Sequence, residues 1–160
     1  MIVALVSLSL WATVAAGRTW TVRQDGSGDF QVIQEAVDAA SDGDVIDIGP
    51  GRWDDYQLIW YDGAPAWDVY VFIDGKSLTL QGAGAGQTIL GPEDEDFHPW
   101  PGRHVMIVMG INCGELKIFD MTLEHSPWQI ISYSAWNQRF EMARCIVREG
   151  YQGVSVACPG

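Results

Sequence analysis

The sequence predicts an all-β chain wound as a parallel β-helix, a solenoid of short strands whose start is covered by one amphipathic helix. Three observations carry that expectation. After the first fifty residues the chain is a succession of apolar runs four to ten residues long, separated by Gly, Asp, Asn or Pro. Those runs repeat: "LKIFDMTL" from Leu116 matches "FEMARCIV" from Phe140 at an offset of 24, setting Leu116 on Phe140, Ile118 on Met142, Met121 on Cys145 and Leu123 on Val147. Finally, the only helix-period segment lies ahead of the repeats, where a cap belongs.

In chain order, Met1 to Ala16 ("MIVALVSLSLWATVAA") is an uncharged apolar run ending in small residues, with Val14 and Ala16 placed for signal-peptidase cleavage. It reads as a secretory signal despite lacking a Lys or Arg after Met1, and implies a secreted, extracellular or periplasmic protein. Gly17 and Arg18 stop the run short of the ~20 residues that a membrane span needs, so no membrane anchor is expected. Residues 17–160 then form one domain.

"WTVRQDGSGDFQVIQEAVDAA" follows. Its glycines do not make a phosphate cradle: Gln31 stands where a dinucleotide fingerprint needs its third Gly, and the Gly-Lys-Ser/Thr of a Walker loop is absent. The segment is instead a short strand, a glycine turn, Asp29 as N-cap, and a helix to Ala40 with Ile33, Ala36, Val37 and Ala40 on one face. "DGDVIDIGPGRW" is a strand entering a Gly-Pro-Gly turn. The later strands are "VYVFI", "SLTLQG", "HVMIVM", "ELKIFDMTL", "WQIISYS", "QRFEMARCIV" and "GVSVACPG".

The 24-residue offset also sets Ile130 on Val154 and Ser132 on Val156, and a weaker copy sets Leu78 and Leu80 on Leu116 and Ile118 at an offset of 38. A period in the low twenties is one turn of a β-helix, with turns stacked ~4.8 Å apart. The last run has no terminal cap, which predicts that the natural chain continues past Gly160.

The formal charge of -12 and pI near 4.3 exclude nucleic acid and anionic surfaces as natural partners. A saccharide partner would therefore be neutral or methyl-esterified, or bridged by a cation such as calcium. Cys113, Cys145 and Cys158 are 32 and 13 residues apart and fit no zinc template; they read as small buried apolar residues rather than a disulfide plus a free thiol. His98, His104 and His125 have no metal spacing, and Glu93 to Asp96 lack a calcium-loop pattern, so neither metal nor cofactor is expected. Trp53, Tyr56, Trp60, Tyr61, Trp67 and Tyr70 crowd one short segment. Most are expected to form a small core under a loop, with Trp60, Tyr61 and Trp67 the candidates for stacking on sugar rings.

"DGSGDFQVIQEAVDAA", "IDIGPGRW", "LTLQGAGAGQTILGP" and "FEMARCIVREGYQG", in that order, resemble landmarks of the pectinesterases within the pectin lyase-like right-handed β-helix group. The resemblance implies right-handed winding and methyl-ester hydrolysis of galacturonan by a carboxylate nucleophile, a protonated carboxylic acid and two oxyanion-holding glutamines. Gln129 in "WQIIS" and Gln152 in "GYQG" match those glutamines and lie 23 residues apart, about one turn. The family's acid follows the second glutamine, where this chain has Gly153, and its nucleophile would lie beyond Gly160. The expected function is thus a secreted, polysaccharide-associated module that is catalytically degenerate or incomplete. The alternatives are the N-terminal half of an active pectin methyl esterase and a structural or adhesive solenoid.

Overall fold

A computed structural model describes residues 17–61, 64–94, 104–134 and 139–157. The secretory signal expected at 1–16 lies outside them, as does Cys158. Among the described residues no helix is long and apolar enough to cross a membrane. They form β1 (Thr19–Val22), α1 (Ile33–Ala39), β2 (Val45–Ile48), β3 (Gly51–Trp53), β4 (Gln57–Tyr61), β5 (Ala64–Asp74), β6 (Leu78–Gly82), β7 (Thr88–Leu90), β8 (His104–Ile111), β9 (Glu115–Phe119), β10 (Thr122–Ser134), β11 (Arg139–Ala143) and β12 (Ile146–Ala157).

The chain is mostly β, and nearly all of its pairing is parallel. One sheet runs β1-β2-β6-β9-β11. Its inward column is Trp20, Ile46, Leu80, Ile118 and Met142, each the Cα partner of the next. Ile46, Leu80 and Ile118 are fully buried, and each such side chain contributes about 1.5–3 kcal/mol by leaving water. The polar residues between them, such as Thr79 and Lys117, alternate to the other face, as the two-residue period of a strand requires.

The second sheet contains two stacks joined by the long strands β10 and β12. Thr122 and Leu123 pair with β7, which pairs with β3, while Gln129 to Ser134 pair with β8, which pairs with β5. β12 accompanies β10 along both halves. Corners between stacks carry left-handed backbone: Asp120 and Arg144 end β9 and β11 at φ 55° and 56°, and His125 and Glu149 bend β10 and β12 at 59° and 55°. At the equivalent corner after β7 stands Gly91, at φ 130°. A Cβ there would lie 2.1 Å from the Glu124 carbonyl oxygen, so only glycine lets the next strand pass.

The repeat pairs read from the sequence are register partners for Leu78 with Leu116, Leu80 with Ile118, Leu116 with Phe140, Ile118 with Met142 and Leu123 with Val147. Two pairings differ from that reading. Val154 and Val156 partner Ile131 and Tyr133, not Ile130 and Ser132, because an irregularity between Ser126 and Gln129 removes one residue from the offset.

α1 is shorter than expected, and Asp29 is not its N-cap. Val32 holds that position and makes no side-chain cap bond, while Phe30 bridges Val22 in extended backbone. The Asp29 carboxylate accepts from the Thr21 backbone N–H at 2.9 Å and from its hydroxyl at 2.8 Å, which pins the glycine turn. Ile33, Ala36 and Val37 are buried against the sheets. Two side-chain devices seat the helix. Gln34 Nε2 donates to the Phe72 carbonyl while its Oε1 accepts from the Phe72 N–H, both at 2.9 Å, so one amide mimics a strand partner for β5. Lys76 Nζ donates to the Val37 and Asp38 carbonyls, supplying cation and hydrogen bonds at the helix C-terminus.

The aromatic segment folds back as an antiparallel hairpin, β4 on β5, which covers the outer edge of that stack. Cys113 is buried and Cys145 half-buried, both as free thiols, as expected of small core residues. Burial pushes the Cys113 thiol up to about 11, away from reactivity.

Candidate functional site

Gln129 and Gln152 are Cα partners on β10 and β12, and Gln129 Nε2 donates to Gln152 Oε1 at 2.7 Å. The pairing follows from the parallel register, and the irregularity at Ser126–Gln129 brings it into line at 23 residues. The Ser126 hydroxyl sits at that irregularity, 2.8 Å from both the Val105 and the Gln129 carbonyl, with its one hydrogen to donate to either. Beneath Gln129 in the same column lie Met106 and then Val69. Val69, Met106 and Met109 form a second apolar cluster separate from the main core, against which Ile59, Trp67 and Trp128 pack.

Trp128 and Tyr151, each one residue before a glutamine, stack with ring centroids 6.0 Å apart and planes 18° apart. Tyr151 is 77% exposed. Two stacked rings, one of them well exposed, thus stand beside a pair of bonded amides above a buried apolar cluster. Trp128 and Tyr151 were not singled out from sequence, yet the signal was there. "WQ" at 128 and "YQ" at 151 repeat at the spacing of the glutamines themselves.

The aromatic candidates divide. Trp60 is 62% exposed at the tip of β4, whereas Trp67 packs inward on the second cluster with Ile59, its register partner. The Tyr61 side chain lies outside the described residues. Trp53 and Tyr70 are buried, and Trp53 Nε1 donates to the Gly49 carbonyl at 3.1 Å. Gly153, at the position the resemblance gives to an acid, is surrounded by open space, with no atom within 4 Å of where a Cβ would sit.

A charged cluster that the sequence did not disclose lies a few residues away. The Glu124 side chain is fully buried; its Oε1 accepts from Arg52 Nη2 and its Oε2 from Arg148 Nε, each at 2.6 Å. Burial works to raise the Glu124 carboxyl, but the hydrogen bonds from Arg52 and then Arg148 outweigh it and hold the group below its ordinary value. Arg52 also donates to the Gly91 and Pro92 carbonyls, so the cluster ties β3, β10 and β12 together. Beside it, His125 Nε2 meets Glu149 Oε2, and ligand atoms of Glu124, His125 and Glu149 all lie within 4.8 Å of one another.

No family model and no curated protein matches this chain.

Proposed function

We propose that the chain is a right-handed parallel β-helix, similar to the pectinesterases, whose glutamine-bearing face holds a neutral or methyl-esterified polysaccharide without hydrolysing it. The observation that carries this reading is the exposed Gln129–Gln152 pair bonded side by side next to the stacked Trp128 and Tyr151. Amides both donate and accept without titrating, which suits hydroxyls and ester carbonyls, and an exposed ring face suits the apolar side of a pyranose. Right-handed winding rests on the resemblance and on the near-universal hand of connections between parallel strands.

The charge of -12 favours an uncharged ligand. Hydrolysis by the family's chemistry needs one ionised and one protonated carboxyl at the amides. Gln129 and Gln152 bond to each other, and Gly153 brings no acid to them. The apolar first segment supports export to the compartment where such polymers occur.

Affinity electrophoresis through methyl-esterified and de-esterified pectin tests the reading. Retardation by the esterified polymer, reduced in Tyr151→Ala and Gln152→Ala while circular dichroism is unchanged, supports it. Migration unaffected by either polymer sinks it, and methanol release that Gln152→Ala abolishes would replace it with the esterase reading.

A further inference from the structure

We propose that Glu124, His125 and Glu149 form a binding site for a single divalent transition-metal ion of the zinc type. The cluster lies at the corner of β10 and β12, and its role is independent of polysaccharide binding.

His125 Nδ1 lies 2.9 Å from the Pro92 carbonyl oxygen. A carbonyl can only accept, so Nδ1 donates to it and Nε2 is the nitrogen left facing Glu149 Oε2, in direct contact. A cation between that nitrogen and that oxygen satisfies both, whether a proton on Nε2 or a metal ion in its place. A histidine fixed through its far nitrogen by a backbone carbonyl is also the arrangement that orients imidazoles toward metals.

The third ligand is Glu124, whose side chain is fully buried. Each carboxylate oxygen has two acceptor sites, so bonds from Arg52 and Arg148 leave capacity for a metal. One imidazole nitrogen with two carboxylates suits zinc and its neighbours in the first transition row, since calcium and magnesium favour all-oxygen shells. Three protein ligands leave a fourth tetrahedral position open.

His125 and Glu149 occupy equivalent corners of β10 and β12, at φ 59° and 55°, as Asp120 and Arg144 do after β9 and β11. The competitor is Arg148, whose Nε is 2.6 Å from Glu124 and 3.9 Å from Glu149. Its side chain is 55% exposed, so it can swing into solvent as the ion enters. Arg52 stays engaged with the Gly91 and Pro92 carbonyls.

The test titrates ZnCl2 into the metal-free full chain by calorimetry and CoCl2 by visible absorption. One ion per chain is expected, with Co2+ bands of four-coordinate intensity. His125→Asn, chosen because Asn tolerates left-handed backbone, and Glu149→Gln, at an exposed position, should each weaken binding about ten-fold or more with the circular dichroism unchanged. Arg148→Gln should tighten it by removing the competing cation. Absence of saturable 1:1 binding, binding that survives both ligand variants, or binding that Arg148→Gln abolishes overturns the site.

Discussion

Among the described residues, the strands beneath α1 and the strand β12 are built alike but differ in what covers them. At the start, β1 and β2 lie under α1, and Val22, Ile46 and Ile48 are fully buried. Gln34 and Lys76 tie that helix to the sheet side and the β5 edge through four hydrogen bonds. By contrast, Ile146, Tyr151, Val154 and Val156 of β12 are 44%, 77%, 42% and 54% exposed. Parallel strands alone therefore do not make a core here. A strand contributes burial only when something lies on both sides of it, and a residue's value depends on its height in the stack more than on its type.

The largest expected effect breaks the tie that joins β12 to β3 and β10. Glu124→Ala leaves Arg52 and Arg148 without their buried partner and should cost about 3 kcal/mol, the low side for a buried pair because Arg148 reaches solvent. Urea unfolding monitored by fluorescence would show it, and hydrogen exchange should show β12 losing protection before β2.

The next pair tests the comparison directly. Ile46→Ala, at a fully buried position, should cost about 2–5 kcal/mol, whereas Val156→Ala, at an exposed position of β12, should change stability by no more than about 0.5 kcal/mol. Equal losses from the two would refute the difference between these strands.

Gln34→Ala removes both bonds to Phe72 and leaves that backbone to water, which should cost about 1–3 kcal/mol. Gln34→Glu should recover only part of the loss, because a carboxylate can accept from the Phe72 N–H but cannot donate to its carbonyl.

Acid sensitivity gives the smallest effect. Hydrogen bonds from Arg144 and then Gln81 hold the Asp120 carboxyl at about 2, against an ordinary 3.8, and Glu124 is also held below its ordinary 4.5. Groups depressed by folding contribute stability that is present above their ordinary values and lost as pH falls through their folded ones. The melting temperature should therefore fall between about pH 4 and pH 2, and Arg144→Gln should flatten that fall by releasing Asp120 toward 3.8.

Much of the stacking was legible because it is periodic. Leu78, Leu80, Leu116, Ile118, Phe140 and Met142 recur with the strand register, so their partners could be named from spacing. The pairing of Gln129 with Gln152 was legible for the same reason. Irregularities were not. The bulge before Gln129 shifts Val154 by one partner, and nothing in "HSPWQ" states its size. Asp29 has the residue type of an N-cap, yet Thr21 offers it two hydrogen bonds from a neighbouring strand, a tertiary alternative that local propensity does not see. The Glu124 cluster joins residues 72 positions apart along one axis and 24 along another, and only the fold brings those separations together.

The central claim is ligand binding by the glutamine face without ester cleavage. Its most direct test is a fluorescence titration with methyl-esterified oligogalacturonide, with methanol assayed in the same samples and Tyr151→Ala run in parallel. The account predicts a saturable change in the unaltered chain, its loss in Tyr151→Ala, and no methanol in either. No saturable change, or methanol accumulating with time in the unaltered chain, would contradict it.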